Sequence, residues 1–266
     1  ILPSTWHETG IEFFGTFGKG YATFDYQALI VTGLNANGFD RNNWVAGGKQ
    51  GFFEVDNFTS PAYVARLDYR GVPGLRIGGS FYYCVNTASN SDKVATYAGV
   101  KAPLRIYTVD GQYKNKYVTA RTNFVFGNLT GATAISNKNK GLSNSSPYTR
   151  VVQVAKKAVS YAGEVGVNLR SICNGNKKVP VIYPFARYEY YNPQEAGEKG
   201  QLPMDKRNQV SMWTAGLNWY ALPNLVVKAD YMTRQIGTGK VFGKGKYNSE
   251  NEFSIGIAYV GWFIKK

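Results

Sequence analysis

The stretch Glu252-Phe253-Ser254-Ile255-Gly256-Ile257-Ala258-Tyr259-Val260-Gly261-Trp262-Phe263 alternates with a period of two. Phe253, Ile255, Ile257, Tyr259, Gly261 and Phe263 fall on one face, and Glu252, Ser254, Gly256, Ala258 and Val260 on the other. That period is the signature of a β-strand with one apolar side. The preceding segment repeats it, with Leu225, Val227, Ala229 and Tyr231 opposing Lys228, Asp230 and Arg234. Two earlier segments place Ala215, Leu217 and Trp219 against Thr214, Gly216 and Asn218, then Ala186, Tyr188 and Tyr190 against Arg187 and Glu189. In each of them the charge is confined to one face.

Composition is compatible with strands and silent about the solvent. Of 266 residues 44% are apolar and 15% aromatic, with 20 Tyr, 15 Phe and 30 Gly, which suits strands joined by tight turns. A mean hydropathy of -0.30 is ordinary for a soluble domain. No apolar run approaches the roughly 20 residues of a transmembrane helix. A transmembrane barrel stays open, because its strands need only about 9–11 residues with alternate ones apolar. The chain starts Ile1-Leu2-Pro3-Ser4-Thr5-Trp6, without the basic and apolar regions of a secretory leader, so the export route is not visible.

Further strands are expected at about 6–18, 20–33, 61–71, 75–88, 102–113, 116–127 and 156–171, about eleven in all with the four above. Short links at Lys19, Gly71–Gly74, Lys114-Asn115, Asn174–Asn176 and Leu222–Asn224 alternate with long ones at about 34–60, 89–101, 128–155, 192–206 and 238–249. Short periplasmic turns and long extracellular loops give that alternation in an outer-membrane barrel. The expected fold is therefore all-β, an antiparallel transmembrane β-barrel formed by a single domain over 1–266. An odd strand count, with a first strand that runs towards the periplasm, leads us to expect further strands N-terminal to this chain.

Charge narrows the function. The 31 Lys and Arg against 17 Asp and Glu give a net +14. Arg66, Arg70, Arg76, Arg121, Arg170, Arg187, Lys228 and Arg234 share the parity opposite to the apolar face and are expected to line a lumen, not a nucleic-acid surface. Glu12, Asp25, Asp68, Asp110, Glu164, Glu189, Asp230 and Glu252 share that face and can neutralise part of the row. The surplus lies partly in links, at Arg41, Lys49, Lys138, Lys140, Arg150, Lys156, Lys157, Lys240, Lys244 and Lys246, where a basic mouth would concentrate anions. Trp6, Tyr191, Trp213, Trp219, Tyr220 and Trp262 cluster near strand ends and read as headgroup-level girdles.

Enzymatic chemistry finds little support. The single histidine, His7, has no base–nucleophile context, and Cys84 and Cys173 offer no zinc spacing. Gly237-Thr238-Gly239-Lys240 lacks the full phosphate-loop spacing and reads as an exposed basic loop. No metal or cofactor is expected. The two cysteines are expected unpaired, since Cys84 sits roughly 30 Å up its strand and Cys173 beside a turn at the other end.

Several stretches carry a family resemblance. Ile1–Gly10, Gly33-Leu34-Asn35-Ala36-Asn37-Gly38-Phe39-Asp40, Pro184-Phe185-Ala186-Arg187-Tyr188-Glu189-Tyr190-Tyr191, Leu217-Asn218-Trp219-Tyr220 with Pro223-Asn224, and Asn251-Glu252-Phe253-Ser254, in that order, resemble the phosphate-selective porin O and P family in its Bacteroides-type form. The resemblance covers what looks like the C-terminal two-thirds of a family member. It implies a sixteen-stranded, usually trimeric outer-membrane porin that passes anions. This chain departs from the usual terminal aromatic by ending Trp262-Phe263-Ile264-Lys265-Lys266, and the family's selectivity residues cannot be aligned onto it residue by residue.

The leading expectation is a passive pore of the bacterial outer membrane that favours small anionic solutes, phosphate among them. Its partners would be outer-membrane lipid and lipopolysaccharide, further copies in a trimer or a larger envelope complex, and no nucleic acid. Two alternatives stay open. One is a structural anchor or subunit whose loops make contacts through Phe39, Trp44, Phe52 and Phe53; the other is a soluble β-sandwich that binds acidic ligands. Part of the 34–60 link is expected to fold into the lumen, with Phe39, Trp44 and Phe52 holding it while Arg41 and Lys49 face Arg66, Arg70, Arg76 and Arg121 across the constriction. Leu225, Val227, Ala229, Tyr231, Ile255, Ile257 and Tyr259 are expected to face lipid.

Overall fold

A computed structural model describes residues 1–3, 5–50, 58–93, 95–139, 153–237 and 247–259. Among the described residues eleven strands follow one another: β1 (Gly10–Phe17), β2 (Phe24–Val31), β3 (Ala62–Tyr69), β4 (Leu75–Cys84), β5 (Leu104–Lys114), β6 (Val118–Leu129), β7 (Lys157–Val167), β8 (Val181–Ala196), β9 (Val210–Leu222), β10 (Leu225–Gly237) and β11 (Tyr247–Tyr259). Two short helices interrupt them, α1 (Ala132–Lys138) and α2 (Leu169–Ile172). Every strand pairs antiparallel with its neighbour in sequence, in one sheet ordered β1 to β11. The fold is all-β, an antiparallel barrel wall whose two ends, β1 and β11, do not pair with each other among the described residues.

Period-two alternation is what makes this wall two-sided. Along the ladders Gln27, Arg66, Ser80, Thr108, Val125, Ser160, Tyr191 and Val210 are successive cross-strand partners, so they share a face. A second row runs Asp25, Asp68, Gly78, Asp110, Asn123, Ala162, Glu189, Met212, Arg234 and Glu250. The opposite face carries exposed apolar groups on strand after strand, among them Phe13, Ile30, Leu67, Ile77, Val109, Phe124, Val165, Leu217, Ile255 and Ile257. Tyr231, Ile255 and Ile257 are half or more exposed on the face read as lipid-directed, and Val227 and Ala229 share their parity.

The inner face is where the structure departs most from the simple pattern. On the side of the long connections it is apolar and buried, through Val31, Ala62, Cys84, Leu104 and Leu129, then Tyr82, Ile106 and Ala158. Segments of the long connections fold back over it and bury Leu34, Phe39, Trp44, Val45, Ile135 and Val154 in a common core. Trp44 donates its indole N–H to the carbonyl of Ala155 at 2.9 Å, and its ring lies on Gly127 of β6. A Cβ at Gly127 would come within 1.9 Å of that ring, so glycine is required for the close approach. Asn139 donates to the carbonyls of Ala36 and Phe39, and Asn208 to that of Arg41. A segment leaving β2 thus reaches the roots of β7 and β9 across the inner side of the wall.

Several expectations need correction. The short–long alternation fails at residues 168–180, which hold α2 and are no shorter than the connection at 197–209. Trp6 is not part of a girdle: it packs on inward-facing Tyr82 at 4.9 Å and donates to Glu8. Tyr191 and Tyr220 have inward parity, so only Trp213 and Trp219 of the proposed girdle face outward, 60% and 46% exposed. The outward aromatics instead form a turn-side cluster of Phe17, Phe24 and Tyr69 and a loop-side cluster of Phe81, Tyr83, Tyr107 and Phe126. Phe39 and Trp44 are 2% and 0% exposed and offer no contact surface, while Phe52, Phe53 and Trp262 lie outside the described residues. Cys84 is buried at the loop end of β4, and Cys173 is exposed in the connection at the opposite end.

Candidate functional site: the inner wall and the folded-in loop

Below the buried cap the inner wall is polar, and its side chains meet across the ladder. Arg66 bridges Asp68 at 2.6 Å and Asp110 at 2.8 Å, and Arg76 reaches the same Asp68 at 2.9 Å. Asp68 is 2% exposed, so its charge depends on those two guanidiniums. Gly78 sits opposite Asp68 with the Arg66 head and the Asp68 carboxylate where a side chain would be. Arg70 pairs with Asp25 at 2.7 Å, Arg121 with Glu164 at 2.8 Å, and Arg187 lies 3.1 Å from Glu189. Arg234 contacts Glu250 at 3.2 Å and Tyr191 at 3.4 Å.

The arginine row foreseen from parity is therefore present, but its members are neutralised in place. Arg66, Arg70, Arg76, Arg121, Arg187 and Arg234 each face a carboxylate. Lys228 has inward parity beside Asn218 and Gly256. Arg170 is not on the wall, since it belongs to α2 and donates to the carbonyl of Val179. The surplus cations of the sequence sit elsewhere. Of these, Lys140, Arg150, Lys240, Lys244 and Lys246 lie outside the described residues.

The folded-in loop covers part of the inner face and leaves a gap beside it. A cavity of about 570 Å³ remains between Asn42 and Asn43 of the loop and Asn123, Glu189, Tyr191 and Arg234 of the wall. Asp40 anchors this edge of the loop by accepting from the backbone N–H groups of Asn42 and Asn43 at 2.6 and 2.7 Å. Arg41 is exposed at this rim, and its charge helps hold the Asp205 carboxyl below its usual range, behind the larger effect of Arg207 hydrogen bonding. Lys49 is at the other root of the loop, beside Gln50, whose amide donates to the Gly33 carbonyl. The expected confrontation of Arg41 and Lys49 with Arg66, Arg70, Arg76 and Arg121 is not what the structure brings together. Arg41 stands with Asp205 and Arg207, and the four arginines belong to the wall beneath.

A carboxylate to which the sequence alone assigns no role secures the cap. Glu198 accepts from the backbone N–H groups of Gly131 and Thr133 at 3.1 and 2.9 Å and so ties the β8–β9 connection to the start of α1. Burial pushes its carboxyl upward, but the two N–H donors outweigh that and hold it below the usual range. Gln153, Gln194 and Gln201 add hydrogen bonds to the carbonyls of Leu202, Gln153 and Val154. No spacing rule flags these residues, because their partners are backbone atoms of distant connections.

The chain matches no protein-family model, and no curated protein matches it. The porin resemblance accordingly rests on the sequence stretches quoted above. Among solved structures the chain is similar to a Pseudomonas aeruginosa FadL homologue, with 11% identity and a TM-score of 0.36 over 94% of this chain and 67% of that one.

Proposed function

We propose that this chain forms the wall of a water-filled pore in a bacterial outer membrane, through which small hydrophilic solutes diffuse. The observation that carries the reading is the two-sidedness of the sheet. Exposed Phe, Ile, Leu, Tyr and Trp cover one face, while Arg, Asp, Glu, Asn and Thr line the other, which suits lipid outside and water inside. Strands β4 to β11, of 10 to 16 residues, are long enough to cross a bilayer when tilted, and β1, β2 and β3, of 8, come within a residue of the roughly 9 that a crossing needs. Among the described residues no helix is long and apolar enough to do so.

Selectivity follows from how the wall charges are paired. A guanidinium already bonded to a carboxylate has little residual field for a passing anion, so the wall row supplies a polar lining, not a phosphate ladder. Anion preference, where it exists, is assigned to the rim and the loops, where Arg41 and the unbalanced lysines lie. Assembly as a sixteen-stranded trimer belongs to the same proposal and rests on the porin resemblance.

The test is reconstitution, in planar bilayers, of the purified protein that contains this wall together with the strands that close it. Steady conductance with a reversal potential of anionic sign in asymmetric KCl supports the full reading. Conductance without ion preference leaves the pore and removes the anion preference. A chain that stays in aqueous solution without detergent overturns the membrane assignment.

A further inference from the structure

Among the described strand residues the outward face carries two charged side chains, Arg105 and Lys157, the latter where the β7–β8 register shifts. Their placement follows from register. Arg105 pairs with Asn128 and Asn128 pairs with Lys157, so the three lie side by side on β5, β6 and β7. All three stand at the long-connection end of their strands. On the next outward positions towards the other end lie Tyr107, Phe126 and Val159, and Tyr107 packs against Phe81 at 4.9 Å. Two cations thus sit one pleat above an aromatic band, on a face otherwise free of charge.

We propose that Arg105, Asn128 and Lys157 form a binding site for a phosphate-bearing lipid headgroup of the outer leaflet, of the lipopolysaccharide type. This rests on the reading that the apolar face meets lipid. With strands about 4.8 Å apart, the Cα atoms of Arg105 and Lys157 are about 10 Å from each other. Both side chains are long enough to converge on one phosphate at charge-assisted hydrogen-bond distance. Neither has a carboxylate within ion-pair distance among the described residues. The Arg105 guanidinium lies 5.3 Å from the centre of the Tyr83 ring on β4, so it swings across β5 towards Asn128 when it shares a phosphate with Lys157. Asn128 makes no side-chain hydrogen bond to another described residue and stands between the two cations. Glu195, on the neighbouring strand, accepts from Asn192 at 2.8 Å.

The chemistry separates this position from the inner wall, where each arginine of the polar rows has an acidic partner. Two like charges flanking one neutral residue on the outward face attract an anion between them, and at this height the available anion is the headgroup phosphate. A free phosphate ion would be shared with water on all sides and has no acyl chain to lay against Phe81, Tyr107 and Phe126. The lipid is therefore the occupant to which the site commits.

Native mass spectrometry of the full chain in neutral detergent tests this, with bisphosphorylated and dephosphorylated lipid A as probes. The bisphosphorylated form is expected to bind at least about tenfold more tightly, and Arg105→Gln with Lys157→Gln to abolish that difference. Lys228→Gln, on the inner wall, serves as the control and should leave it intact. Each single variant should lose part of the preference, which keeps the test decisive if the double variant fails to fold. Equal binding of the two lipids to the wild-type chain overturns the site, as does displacement of lipid by inorganic phosphate alone. Bilayer conductance is read in parallel: conductance without lipid preference sinks the site and spares the pore, whereas no insertion at all sinks the pore reading itself.

Discussion

Replacing Trp44 with Ala should release the cap while leaving the wall intact. The indole is fully buried, rests on Gly127 and donates to the Ala155 carbonyl at 2.9 Å. Truncating a buried Trp to Ala removes about 3–5 kcal/mol of packing and hydrogen bonding. At about 1.4 kcal/mol per factor of ten, that is a shift of roughly a hundredfold or more towards the undocked loop. The strands should not follow, because their ladder hydrogen bonds and outward apolar face do not involve Trp44. Single-channel recording in planar bilayers should show larger or noisier openings, with heat-modifiable migration on gels unchanged. Trp44→Phe keeps most of the ring volume and leaves the Ala155 carbonyl without its donor, a smaller penalty of about 1–3 kcal/mol. Gly127→Val drives a side chain into the same ring and should mimic Trp44→Ala, yet add little in the Trp44→Ala background, since both act on one contact. Wild-type conductance in Trp44→Ala, with the loop still resistant to protease, would refute the idea that this contact sets the opening.

Ile257→Arg places a cation on the outward face, where Ile257 is 72% exposed, and should cost about 2–4 kcal/mol of membrane-embedded stability if that face meets lipid; urea titration in lipid vesicles measures it. Asp68→Asn removes the carboxylate shared by Arg66 and Arg76, so the reversal potential should move towards anions as Arg76 loses its ion pair, while Arg66 keeps Asp110. Arg41→Glu with Lys49→Glu should weaken any anion preference, and most of that effect should come from Arg41 alone, because Lys49 lies at the other root of the loop. Glu198 has its carboxyl held below the usual range, so its contribution to cap docking is present at neutral pH and is lost as pH falls through that lowered value. Conductance should therefore rise only under acidic conditions in the wild-type chain, and already at neutral pH in Glu198→Gln.

The strands were legible because their signal is local. Alternation over a few residues, bounded by Gly, Pro and Asn, located all eleven, and the ends moved by only a few residues, as where β1 spans Gly10–Phe17 instead of 6–18. Parity was legible for the same reason: Arg66, Asp68, Arg187 and Glu189 fall on one face whatever lies beyond the strand. The connection at 168–180 was less legible, since the turn at Asn174–Asn176 is real but the one-turn helix Leu169–Ile172 before it is announced only by its N-cap, Asn168, which accepts from the Ser171 N–H. Girdle assignment failed where it used residue type without register, as at Tyr191 and Tyr220, which share the inward face with Ser160 and Asn218.

What the sequence could not show is how two distant alternations meet. That Arg66 would find both Asp68 and Asp110 depends on register across β3, β4 and β5, which a single strand does not contain. Counting charges gave a basic lumen; pairing them gives a lining in which the positive field of each arginine is spent on a neighbour. Of the aromatic residues expected to hold the 34–60 link inward, Phe52 lies outside the described residues, and Phe39 and Trp44 are buried against the wall. Their partners, Gly127 and the Ala155 carbonyl, carry no chemical signal of their own, because one is the absence of a side chain and the other is a backbone atom. On the proposed reading, selectivity is decided by the cations that pairing leaves over at the rim, Arg41 among them, while Arg105 and Lys157 stand on the outward face, apart from any solute.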